Sequence, residues 1–85
     1  MSRSNNGKMP AKRIKLALQE ALAILGETAV YVIILDMEDL GIKLKEGNFY
    51  SLAEIEAAVR KMFGEDATIL IMAMLRKKLD ESDQR

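Results

Sequence analysis

The sequence predicts an all-α fold: four helices, arranged as two related helical hairpins, forming one small bundle that pairs with a second copy. Three observations lead to this. Leu25-Gly26-Glu27-Thr28-Ala29 returns 38 positions later as Phe63-Gly64-Glu65-Asp66-Ala67. Each time an amphipathic segment runs into the glycine and a very apolar segment follows it, so the repeated unit reads as a hairpin of two elements. Apolar residues also recur at helical spacing in all four segments. Finally, 85 residues leave room for one core only, and a chain with no Cys and no His has neither a disulfide nor a zinc site to reinforce it. The core must suffice alone or be completed by oligomerisation.

Met1 to Met9 is polar and rich in Ser and Asn, with little to bury, and is expected to be a mobile tail preceding a domain over 10–82. Pro10 sits where proline is best tolerated, at a helix start. Ile14, Ala17, Leu18, Ala21, Leu22 and Leu25 then follow at spacings of three and four, which places them on one stripe of a helix from Pro10 to Leu25. Gly26 is placed to end it by adopting positive φ.

The next run, Ala29 to Leu35, is β-branched and taken alone reads as a buried strand. A wider window favours a helix from Thr28 to Leu40, because Val30, Ile33, Met37 and Leu40 keep helical spacing through charged residues and Gly41 supplies a stop. Gly41 to Tyr50 is a loop, with Ile42 and Leu44 available to turn inward. Ser51-Leu52-Ala53-Glu54 is a capping box, flanked by Tyr50 and Ile55 at the positions of a hydrophobic staple. It starts a helix to Phe63 whose stripe is Leu52, Ile55, Val59, Met62 and Phe63. The last helix, Asp66 to Ser82, carries Ala67, Leu70, Ile71, Met74, Leu75 and Leu79, and residues 83–85 form a polar tail. In both repeats the glycine is followed by Glu and then by a capping type, Thr28 or Asp66, which suits carboxylates at a helix N-terminus. The first and third helices are expected to form the outer pair and the second and fourth the buried pair.

Catalytic and ligand-binding signatures are not found. Without His or Cys the common nucleophiles and general bases are missing, and Ser51 is committed to a cap, so the chain is read as non-enzymatic. Asp36, Glu38, Asp39 and Gly41 suggest a calcium loop, but the fifth position from Asp36 is Leu40 and the twelfth is Gly47, where oxygen ligands belong. No metal or organic cofactor is expected. A helix-turn-helix centred on Gly64 would use Ala67 to Met74 as reader, a stretch without the Arg, Lys, Asn or Gln that base edges require. The apolar runs are too short to span a bilayer and no secretory signal is evident, so a cytoplasmic location is expected.

Two features remain. The second and fourth helices carry more apolar surface than one stripe uses. Tyr31, Ile34, Leu35, Ile69 and Met72 are the candidate contacts of a homodimer, because a face apolar all round must be enclosed. The formal net charge is zero, yet Arg3, Lys8, Lys12, Arg13 and Lys15 all precede the first acid, Glu20. They are the candidate contacts for nucleic acid, in an alternative reading of the chain as a nucleic-acid-associated regulator with two basic arms per dimer.

Through its repeated Gly-Glu turns, Leu25-Gly26-Glu27 and Phe63-Gly64-Glu65 followed by a small or capping residue, the chain resembles a group of small, functionally uncharacterised prokaryotic proteins, mainly archaeal. The resemblance covers about Leu18 to Leu79. It implies an all-helical fold and brings no activity with it.

Overall fold

The computed structural model describes residues 7–83. A two-residue strand β1 (Met9–Pro10) leads into α1 (Ala11–Ala21), a 3-10 turn (Ala23–Leu25) and α2 (Glu27–Asp39). A loop then reaches β2 (Phe49–Tyr50), followed by α3 (Leu52–Phe63) and α4 (Glu65–Asp83). The fold is all-α apart from the two short strands, which pair antiparallel, Met9 with Tyr50 and Pro10 with Phe49. Both apolar runs are helical. The strand-like Ala29 to Leu35 is part of α2 because helical spacing persists on either side of it.

Several expected boundaries move. Met9 does not belong to a tail: it is half-buried and paired in β1, and the Ala11 N–H donates to the Asn48 carbonyl at 2.8 Å to seat the start of α1 on the loop. At the other end α4 continues to Asp83. Leu25 and Leu40 leave their expected stripes for exposed positions, since α1 ends at Ala21 and α2 at Asp39. Phe63, in the last turn of α3, is exposed as well.

The cap of α3 forms as the sequence predicts. The Glu54 N–H donates to Ser51 Oγ at 3.1 Å, and the Ser51 N–H donates to Glu54 Oε1 at 2.8 Å. The latter bond, reinforced by Lys8 Nζ at 3.7 Å, holds the Glu54 carboxyl below the ordinary carboxylate range. Beneath the staple Ile55 is fully buried. The loop is organised by side chains: Tyr50 Oη accepts from the Lys43 N–H at 2.8 Å, and Asn48 Nδ2 donates to the Lys43 carbonyl at 2.9 Å. Ile42 and Leu44 tuck into the core as expected. At the end of α2, the N–H groups of Gly41 and Ile42 return to the carbonyls of Glu38 and Met37, closing the helix in a Schellman pattern.

Thr28 and Asp66 are not caps. Each lies inside its helix, one residue beyond Glu27 or Glu65, and α2 has Gly26 as its N-cap with no side-chain cap. Gly26 (φ 92°, ψ 154°) and Gly64 (φ 87°, ψ 178°) both adopt mirror-extended backbone rather than the left-handed helical form. Gly64 alone separates α3 from α4, and Gly26 alone separates the 3-10 turn from α2, so at each place one residue redirects the chain.

The outer and inner helices are also rearranged. The core is built on α1 and α3, through Ile14, Leu18, Ile55 and Val59, together with Met72 and Leu75 of α4. α4 packs along both α1 and α3, whereas α2 lies at the periphery with lighter contact to α1 and α3. Ala11, Ala17 and Ala21 of α1 are buried, and α4 is the helix that packs most extensively on α1.

Candidate self-association surface

The 38-residue repeat extends to side-chain environment. Val30 and Thr68 are buried at equivalent positions, as are Ile34 and Met72, then Met37 and Leu75. Ile33 and Ile71 are equivalently half-buried. The pairs Tyr31 and Ile69, each 63% exposed, and Val32 and Leu70, 47% and 63%, face solvent. Each repeat therefore presents one buried stripe and, beside it, an apolar ridge in water.

The two hairpins differ in how tightly they close. In the second, Arg60 donates from Nε to Glu65 Oε1 at 2.8 Å and from Nη2 to Glu56 Oε2 at 2.7 Å, while Arg76 reaches Glu56 Oε1 at 3.4 Å. These carboxylates, Glu65 foremost, raise the Arg60 pKa. Thr68 Oγ1 adds a bond to the Gly64 carbonyl at 2.6 Å. In the first hairpin the 3-10 turn separates α1 from α2, and an open groove of about 860 Å³ lies between them. Its α1 wall holds Lys15, Gln19 and Ala23. Its α2 wall holds Glu27, Thr28, Tyr31, Ile34, Leu35 and Glu38, the positions of one helical stripe.

The expected dimer contacts are thus divided. Tyr31 and Leu35 are exposed and line the groove, and Ile34 lies at its floor, 8% exposed. Ile69 is exposed on α4. Met72 is a correction: at 1% exposure it belongs to the core, because α4 is rotated so that Thr68, Met72, Leu75 and Leu79 face inward. The same rotation sends Leu70, expected in the buried stripe, into solvent. The sequence reading also passed over Ile24, 90% exposed in the 3-10 turn. Its signal was available, since Ile24 falls outside the stripe of Ile14 to Leu25.

The basic residues have separate surroundings. Arg3 lies outside the described residues. Lys8 pairs with Glu54 at 3.7 Å, and Arg13 Nη2 donates to the Leu79 carbonyl at 3.3 Å, tying α1 to α4. Lys12 is exposed, and Lys15 lines the groove. Among the described residues no group of three or more Asp or Glu is arranged to hold a metal ion, and no helix is long and apolar enough to cross a membrane. No protein-family model, curated protein or solved structure matches the chain.

Proposed function

We propose that the chain is a non-enzymatic helical module that self-associates, with a second copy covering the exposed face of α2. The observation that carries this reading is the ridge of Tyr31, Val32 and Leu35, exposed on a helix whose opposite side is already committed to the core through Val30, Ile34 and Met37. Only another apolar surface removes such a ridge from water, and a two-fold axis lets one patch satisfy its twin. Burying it contributes roughly 25 cal/mol per Å² of apolar area.

Sedimentation velocity from micromolar to millimolar concentration tests the proposal. The wild type is expected to shift to dimer as concentration rises. Tyr31→Asp and Leu35→Asp are expected to stay monomeric with unchanged helical circular dichroism, because both side chains are exposed in the monomer. Ile34→Asp and Met72→Asp are unsuitable probes, since each introduces a charge into a buried position and unfolds the chain. A wild type that remains monomeric throughout overturns the proposal.

A further inference from the structure

The groove beside α2 has two chemically different ends. The 3-10 turn joins the end of α1 to the start of α2, so Ala23 and Glu27 sit at the closed end and Lys15 and Glu38 at the other. Lys15 is the one base in the lining; Glu27 and Glu38 are its acids. Among the described residues none of the three makes an ion pair. Lys15 and Glu27 of one chain lie at opposite ends and are not neighbours.

From this arrangement, and resting on the self-association proposed above, we infer that the groove receives α2 of a second copy running antiparallel, with Lys15 of each copy meeting Glu27 of the other. Antiparallel pairing centred on Ile33 sets Tyr31 over Leu35 of the second copy and Thr28 over its Glu38. The start of the incoming helix then arrives at the Lys15 end of the groove. Its Glu27 finds there Lys15, the one base among the residues lining the groove, and that cation also offsets the repulsion between Glu27 and Glu38 that two acidic helices would otherwise bring together. A parallel arrangement sets Glu27 against Glu27 at the closed end, with no base beside them, and aligns two helix dipoles unfavourably. By symmetry the antiparallel dimer contains the Lys15 to Glu27 contact twice.

Charge reversal and exchange test this. Lys15→Glu and Glu27→Lys should each raise the dimer dissociation constant about tenfold, since two modest ion pairs become two repulsions. The double variant in one chain should return it to within about twofold of wild type. An equimolar mixture of the two single variants should form heterodimers as tightly as wild type, because each contact again joins opposite charges. Lys12→Glu mixed with Glu46→Lys, exposed residues outside the groove, controls for net charge and should show no preference for heterodimer. Thermal melts of each variant exclude unfolding as the cause. If the wild type dimerises and the single variants do so equally well, or if the double variant does not recover, the groove pairing is overturned while self-association stands. A monomeric wild type, or a groove filled instead by a small molecule or an unrelated protein, overturns both.

Discussion

Replacing Gly64 with L-alanine and, separately, with D-alanine isolates what the joint between α3 and α4 requires. At φ 87° and ψ 178° the residue occupies a region open essentially to glycine alone. An added L-Cβ meets no atom within 4 Å, so collision with the rest of the molecule contributes nothing. The penalty is then one of backbone conformation, about 1–3 kcal/mol, less about 0.4–1 kcal/mol recovered by restricting the unfolded chain. Taking the middle of each range, the net loss is about 1.3 kcal/mol, and in a domain of this size each kcal/mol moves Tm by roughly 4–8 °C, so L-alanine should lower Tm by about 5–10 °C. D-alanine inverts the sign. Its preferred extended region is the mirror image of the ordinary one and includes the observed angles, so only the unfolded-state term remains and Tm should rise by several degrees. Chemical synthesis supplies both chains, and melts followed by circular dichroism in the Leu35→Asp background remove any contribution from association. Equal destabilisation by the two enantiomers, or a neutral L-alanine, would refute the reasoning. Gly26 should respond in the same way.

Other expectations follow from the caps and the repeat. Ser51→Ala should cost about 1 kcal/mol, by urea denaturation, because the cap of α3 loses its acceptor. Glu54 has a folded pKa below its unfolded one, through the Ser51 N–H first and Lys8 after it. Its contribution is therefore present above the unfolded carboxylate pKa and is lost as pH falls through the folded value; Glu54→Gln should flatten that part of the stability profile, and an unchanged acid limb would exclude it as a contributor. Thr68→Val should be neutral to within about 1 kcal/mol. It gives up a hydroxyl bond worth about 0.5–1.5 kcal/mol and gains a buried methyl group worth about 0.8 kcal/mol. The Gly64 carbonyl still accepts the N–H of residue 68, observed at 3.2 Å, and the first repeat already has Val30 at this place. A loss above about 2 kcal/mol would show that the hydroxyl has a further role.

What was legible followed from local chemistry. The capping box over Ser51 to Glu54 needs only residues three apart, and it forms with the geometry expected of it. The inward turn of Ile42 and Leu44 was readable because apolar side chains in a polar loop have one way to leave water. Tyr31 and Leu35 could be named as exposed surplus on α2 because a helix with apolar residues on both sides cannot hide them all against one neighbour. Met72 was misplaced for a different reason. The expected stripe of α4 runs through Ala67, Leu70, Ile71 and Met74, whereas the helix turns Thr68 and Met72 inward and Leu70 out. The Thr68 hydroxyl is satisfied by the Gly64 carbonyl, four residues back across a joint whose backbone geometry had to be known first.

The sequence by itself determined four helices, their two glycine joints and an excess of apolar surface on α2 and α4, because periodicity, caps and turns are set by residues within about one helical turn of each other. Tertiary structure decided which helices enclose which. Two hairpins with the same Leu/Phe-Gly-Glu signature close differently: Arg60 and Arg76 tie α3 to α4 through Glu56 and Glu65, while a 3-10 turn holds α2 away from α1. Those ion pairs span separations of up to 20 residues, and α4 packs along α1 far more extensively than α2 does. Competition between two similar helices for one surface is settled by packing across the whole molecule, and neither helix carries that outcome in its own residues.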